Sequence, residues 1–264
     1  MADTDTVRYD VTDQLATITL DRPGAMNALD IATKEALRAA LHRAAEDPEV
    51  RAVLLTGSGR AFCVGQDLKE HIGELSQGGG SALNTVAVHY NPIVNAIAEM
   101  RKPVVAGVNG VAAGAGMGFA LAADYRVVAE SATFTTAFAG IALTADSGLS
   151  WTLPRLIGAG RAADLLLFPR KIDAREAERL GIAQQVVADE ELAAVSTEVA
   201  RRLAAGPTVA YAAIKESLAH AAGHTLAESL EREGELQVRA GDSEDHHAAV
   251  AAFVAKEKPV FRGR

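Results

Sequence analysis

The sequence predicts an α/β fold in which parallel sheets are buried by helices and a helical region closes the chain. Three observations carry this expectation. Apolar runs of strand length alternate with helix-length segments up to about residue 190 of the 264. From Glu190 onward helical patterns follow one another, separated by Gly206-Pro207, Gly223 and Gly241. Tyr, Phe and Trp make up only 5% of the chain while Gly and Ala are abundant, so the interior must be packed from small side chains. The chain therefore divides into an α/β core, residues 1–190, and a C-terminal helical region, residues 191–264.

Taken in order, Val7–Val11 and Leu15–Leu20 flank a polar Thr12-Asp13-Gln14 turn and read as a β-hairpin. Asp21 to Ala28 is a loop, since Pro23-Gly24 ends the strand. Asp30 caps a helix running to about Ala45, closed by Asp47-Pro48. Ala52–Thr56 is a buried strand, and Ala61–Leu68 a second that stops at Gly65 and turns into a helix. Gln77-Gly78-Gly79-Gly80-Ser81 reads as a mobile loop. A helix from Leu83 to Met100, bent near Pro92, leads to a central strand at Val104–Val108. Further strands fall at Tyr125–Val128, Thr133-Phe134 and Gln185–Val187, with helices at Ser150–Leu156, Gly160–Leu167 and Ala174–Leu180. Four helices follow, at 192–205, 209–220, 226–239 and 244–256.

Composition narrows the function classes. A net charge of −8 without a basic stripe argues against nucleic acid. No window reads as a charge-free membrane span, and the acidic start MADTDTVRYD shows no signal peptide, so a cytoplasmic location is expected. The single Cys63 excludes an internal disulfide and reads as a small buried hydrophobe. His246-His247 sits in an acidic helix start where adjacent histidines face different ways, so no metal is expected. His71, His89, His220 and His224 read as surface or packing residues, and Ser58 lacks a full G-x-S-x-G turn.

The stretch from Pro103 to Asp124, PVVAGVNGVAAGAGMGFALAAD, is the centre of the chain. A strand feeds a glycine-lined turn and then a helix start, which leaves backbone N–H groups aimed at open space where an oxyanion can sit. Gly114-Ala115-Gly116 looks like the front of a dinucleotide fingerprint, but its third position falls on the bulky Phe119 and no ribose-binding acid follows. Asp146 has apolar flanks in Phe138, Leu143, Ala145 and Trp151, so desolvation should raise its pKa. It is also placed to cap the helix that begins near Ser147.

Four stretches in order, LDRPGAMNAL (20–29), GRAFCVGQDL (59–68), the central segment, and ADSGLSWTLPRLIG (145–158), resemble the enoyl-CoA hydratase/isomerase, or crotonase, family; AFVAKEKPVF is similar to its closing helix. The resemblance implies repeated ββα units forming two roughly perpendicular sheets, a C-terminal region that serves trimerisation and covers the acyl pocket, and homotrimers that can pair into hexamers. It implies an acyl-CoA thioester as substrate, no metal and no separate cofactor. The oxyanion donors would be the backbone N–H groups of Val64 and Ala115. CoA would be cradled by Arg22, Ala25 and Met26, by Gln66, Asp67 and Leu68, by Gly114, and by Lys256 or Lys258, while Phe138 would shape the acyl pocket.

Hydratases of this family use two glutamates, whose positions here fall on Gly118 and Phe138, and neither can transfer a proton. Asp146 matches the acid/base carboxylate of several family isomerases. Its run Asp-Ser-Gly-Leu-Ser resembles most the ring 1,2-epoxyphenylacetyl-CoA isomerases. The implied activity is an acyl-CoA isomerase that shifts a double bond or rearranges an epoxide with Asp146 as single acid/base. The alternatives are a hydratase with atypical acid/base residues and a catalytically silent CoA-binding subunit.

Overall fold

The computed structural model describes residues 6–76 and 83–264; the glycine-rich loop expected at 77–81 lies outside them. Among the described residues ten strands form two sheets. The larger has the order β1-β2-β3-β5-β7-β10, comprising β1 (Val7–Thr12), β2 (Leu15–Leu20), β3 (Ala52–Gly57), β5 (Val104–Val108), β7 (Tyr125–Ala129) and β10 (Gln185–Val187). Only β1 runs antiparallel to its neighbour in this sheet. The smaller has the order β4-β6-β8-β9, from β4 (Ala61–Cys63), β6 (Val111–Ala113), β8 (Thr133–Thr135) and β9 (Ile172–Asp173), the last antiparallel. Each repeat sends its first strand to the large sheet and its second to the small one: β3/β4, β5/β6 and β7/β8.

Local chemistry explains the element ends. The Asp30 carboxylate accepts from Thr33 N at 2.8 Å and starts α1 (Ile31–Glu46), a cap worth about 1 kcal/mol. At the other end, Lys102 Nζ donates to the carbonyls of Ala44 and Asp47 at 2.7 and 2.6 Å, the favoured placement for a cation. Leu37, Leu41 and Ala44 bury the inner face. After β4 comes α2 (Leu68–Ser76).

The helix expected over Leu83–Met100 with a bend near Pro92 runs without interruption over 85–98, its first part in π form. A π-turn at Val86–Tyr90 precedes α3 (Asn91–Ala98), because Pro92 has no N–H to offer the Val88 carbonyl and its ring would press on it. That carbonyl accepts from Arg38 Nη1 at 3.4 Å instead.

The central helix α4 (Ala115–Ala122) is buried along its whole length. It closes on β4 so tightly that a Cβ on Gly116 would stand 2.1 Å from the Cys63 carbonyl oxygen. Then follow α5 (Leu149–Ile157), α6 (Ala159–Leu167) and α7 (Ala174–Leu180). The C-terminal helices are α8 (Leu192–Ala204), α9 (Thr208–Ala221), α10 (Leu226–Gly241) and α11 (Glu244–Ala255). Of these, α8 lies on the large sheet, where Ser196 Oγ would stand 3.2 Å from a Cβ on Gly107. The chain end folds back: buried Asp245 accepts from Arg262 N and Gly263 N at 2.5 and 2.8 Å, and Arg51 Nη1 donates to the Phe261 carbonyl at 3.0 Å. Among the described residues no helix is long and apolar enough to cross a membrane.

Candidate active site

A cavity of about 640 Å³ lies where β4, the start of α4 and the loop before α5 converge. Its floor is the Val64-Gly65 step after β4 together with Gly114-Ala115. These segments touch: a Cβ on Gly65 would stand 3.4 Å from the Ala115 nitrogen. Gly114 occupies φ 52°, a left-handed conformation that bends the chain from β6 into the helix. Ala115, the first helical residue, has an N–H with no acceptor inside its own helix. The structure therefore brings the two residues expected to supply oxyanion donors to one floor.

Asp146 lies in the wall of the same cavity and is half-buried. It does not cap α5: the capping position is Gly148, and no side chain bonds the helix start. Its carboxylate instead accepts from Ser147 Oγ at 2.8 Å. Burial pushes the Asp146 carboxyl up from the ordinary aspartate value, and the Ser147 hydroxyl draws it partly back. Among the described residues no charged side chain is paired with it.

The position of the first hydratase glutamate is closed in space as well as in sequence. A Cβ on Gly118 would stand 2.5 Å from Ser147 Cβ and 2.6 Å from the Ser147 carbonyl oxygen. At the second position Phe138 is 8% exposed and turns its ring toward Gly114, 3.8 Å from where a Cβ would be. Phe138 thus lines the cavity, as expected. Trp151 does not: α5 buries Leu149, Leu153 and Ile157, and Trp151, off that stripe, is 50% exposed and stacked under the Arg155 guanidinium at 3.9 Å.

The residues expected to cradle CoA divide. Arg22, Ala25, Met26, Gln66, Asp67, Leu68 and Gly114 all line the cavity. Lys256 and Lys258 are exposed and outside it. Arg22 is already paired with Asp30 at 3.0 Å and Asp67 at 3.1 Å. Burial alone would raise Asp67, but its hydrogen bonds from Arg22 and from the N–H groups of Lys69 and Glu70 hold the carboxyl below the usual range. Arg22 so anchors the 22–28 loop against the segment after β4.

Other wall residues escaped the sequence reading. Tyr90 is buried, meets Phe119 edge to face at 6.1 Å and donates its hydroxyl to Gln66 Oε1. The same oxygen accepts from Lys34 Nζ at 3.2 Å; Lys34, only 1% exposed, also bonds Glu70 at 3.1 Å and Thr85 at 3.0 Å. A signal existed, since Lys34 sits in register with the apolar stripe Leu37–Leu41 of α1 and had to be buried with a partner. His71, expected to be a surface or packing residue, also lines the cavity. Among the described residues no three His, Cys, Asp or Glu side chains converge as a metal site.

The chain is similar along nearly its whole length to known proteins. The enoyl-CoA hydratase/isomerase family model matches residues 10–264. A protein of Rhodobacter capsulatus named probable enoyl-CoA hydratase is 45% identical over 260 residues, 98% of either chain. The 1,2-epoxyphenylacetyl-CoA isomerase of Escherichia coli K12 is 39% identical over 248 residues, covering 94% of this chain and 95% of that one. A crystal structure from Mycobacterium abscessus, described as an enoyl-CoA hydratase/isomerase, superimposes with a TM-score of 0.95 at 49% identity, over 98% of this chain and all of the other. The four motifs, the paired sheets and these full-length matches make the chain a member of the enoyl-CoA hydratase/isomerase, or crotonase, family.

Proposed function

We propose that this acyl-CoA-processing enzyme is an isomerase whose single acid/base is Asp146. The observation that carries the reading is one arrangement: the Asp146 carboxylate shares a cavity with the Ala115 helix start, while Gly118 and Phe138 stand at the two glutamate positions. The other carboxylate in the wall, Asp67, is committed to Arg22.

The steps follow from these placements. With the thioester oxygen on the N–H groups of Val64 and Ala115, ionised Asp146 takes a proton from a carbon activated by the carbonyl. The electron pair moves onto the oxygen, where preorganised donors stabilise it, each worth roughly 10²–10³-fold in rate. The protonated carboxyl returns the proton at another carbon, so the double bond moves and the base is regenerated. On a ring 1,2-epoxide the same carboxylate assists opening and rearrangement. The Asp146-Ser147-Gly148-Leu149 run and the 39% identity to the E. coli isomerase support this narrower reading, in phenylacetate breakdown. CoA lies along Arg22–Met26 and Gln66–Leu68.

A second reading, hydration of 2-enoyl-CoA by atypical residues, follows the name of the R. capsulatus relative. One comparison separates the two: wild type and Asp146→Asn on 3-enoyl-CoA, 2-enoyl-CoA and 1,2-epoxyphenylacetyl-CoA. Isomerisation present in wild type and lost in the variant supports the proposal. Hydration unaffected by the substitution overturns it, and tight acyl-CoA binding without any turnover points to a silent binding subunit.

The same reading includes a homotrimer or a dimer of trimers. It is supported by apolar side chains left exposed on the C-terminal helices, among them Leu218, Leu226, Phe253 and Val254. Lys256 and Lys258 are then placed to reach CoA on a neighbouring copy. Light scattering after gel filtration tests it; a monomer at micromolar concentration refutes it.

A further inference from the structure

Ser147 is 1% exposed and holds a left-handed φ of 51°, uncommon for a residue that carries a side chain. Two contacts hold it. Its Oγ reaches Asp146 Oδ1 at 2.8 Å. Its Cβ and carbonyl oxygen press on the bare Cα of Gly118, one helical turn beyond Ala115 in α4. Gly148 follows, also left-handed at φ 75° and packed on Val94.

We propose that Ser147 is the positioning residue of the base: its hydroxyl holds one carboxylate oxygen of Asp146 and leaves the other for the substrate's proton, while its packing on Gly118 fixes that carboxylate relative to the helix that supplies an oxyanion donor. The proposal rests on the reading of Asp146 as the base. A carboxylate on a loop has rotamers to choose from, and a fixed donor selects among them. An ionised carboxylate only accepts, so the hydroxyl must be the donor. Base and oxyanion floor are thereby held as one unit although they lie on different elements.

The hydroxyl also opposes the burial that raises the Asp146 carboxyl. The other ionisable side chains in the cavity wall are Arg22, Asp67, Lys69, His71 and Tyr90. Among the described residues Ser147 Oγ is the side-chain group bonded to the Asp146 carboxylate, so a change in its titration on losing the hydroxyl reports that bond.

The test uses the full chain with Ser147→Ala and Ser147→Gly, beside Asp146→Asn. The Ala variant removes the hydroxyl and keeps the Cβ. The Gly variant removes both and relieves the left-handed strain, so the two differ in stability but share the lost donor. Both are expected to lose about tenfold in kcat, the kinetic equivalent of one hydrogen bond to a charged group, with KM changed by less than about twofold. In both, the acid limb of kcat/KM moves to higher pH, and a carbon-13 titration of the Asp146 carboxyl moves the same way, a readout that needs no substrate. Ser147→Cys, a weaker donor of similar shape, falls between. A wild-type titration in Ser147→Ala, or a kcat loss in Ser147→Ala that Ser147→Gly restores, overturns the proposal. Wild-type turnover by Asp146→Asn overturns the base assignment instead, so the two failures are separate.

Discussion

Gly118→Ala probes the packing on which the candidate site rests. At an open helical position this substitution stabilises by about 1 kcal/mol, because glycine is the poorer helix former. Here the added methyl would stand 2.5 Å from Ser147 Cβ and 2.6 Å from the Ser147 carbonyl oxygen, inside the 3.0 Å that real Cβ atoms respect. Neither atom is the free end of a flexible side chain, so backbone must move. Overpacking of this kind costs about 3 kcal/mol, the upper end of its usual range, which leaves a net loss of about 2 kcal/mol. For a chain of this size that lowers the unfolding temperature by about 4–8 °C. The displaced residue carries the hydroxyl that holds Asp146, so kcat should fall further than substrate affinity. Thermal unfolding by circular dichroism, with kcat and KM on the same preparation, reads both effects. Gly118→Glu should unfold lower still and gain no hydration of 2-enoyl-CoA. A Gly118→Ala variant that unfolds at or above the wild-type temperature with unchanged kcat would refute this reasoning, because it would mean the Ser147 turn yields freely.

Three further outcomes are expected. Burial raises the Asp146 carboxyl in the folded state, so the native protein holds that proton more tightly than the unfolded chain, and stability falls as pH rises from the ordinary aspartate value through the folded one. Asp146→Asn should therefore unfold at a higher temperature than wild type at neutral pH, with the gap closing in acid; a gap independent of pH refutes it. The Cys63 thiol is fully buried and pushed up to about 12 by burial, so a disulfide reagent should find no reactive thiol in the native protein and one in denaturant. Asn27, fully buried at φ 56°, donates to the carbonyls of Ser58, Ala61 and Phe62 at 3.0, 2.7 and 3.2 Å and accepts from Arg22 N at 2.9 Å. Asn27→Ala takes this donor or acceptor from the Ser58 and Phe62 carbonyls and the Arg22 N–H, while the Ala61 carbonyl keeps Asn109 Nδ2 at 3.0 Å; at about 1 kcal/mol for each of the first three it should cost roughly 3 kcal/mol, read as a fall of about 6–12 °C in the unfolding temperature.

Most elements legible in the sequence have enough residues to show a period, although the three-residue β8 and β10 fall at their expected places without one. The hairpin, α1 and the C-terminal helices fall where their apolar spacing and caps put them. The strands β6 and β9, with three and two residues, show no period and exist because a neighbouring edge pairs them. The irregularity at Val86–Tyr90 is signalled by Pro92, but its π form and the Arg38 contact to the Val88 carbonyl are not. At the site, motif order placed Asp146, Gly114, Phe138 and the Arg22 and Gln66 loops, and all of them line one cavity. Trp151, an apolar flank of Asp146 in the sequence, is 50% exposed because it lies off the buried stripe of α5, which proximity in sequence does not show.

What the sequence could not show is the space around a residue that has no side chain. Gly118 reads as a missing carboxylate, which leaves two arrangements open: an empty recess that a glutamate could refill, or a wall that has closed. The structure has the second, with Ser147 pressed on the Gly118 backbone and Asp146 held by the same residue. Backbone N–H groups, as proposed for Val64 and Ala115, carry no side-chain signature, so a floor built from them tolerates many side chains, and on the proposed reading the reaction is set by which carboxylates face that floor and from where. Here the contact that excludes a carboxylate on α4 is made by the residue that holds the carboxylate on the facing loop. A return to two-carboxylate chemistry would thus require moving the 143–148 turn as well as replacing Gly118 and Phe138, and moving that turn takes Asp146 with it.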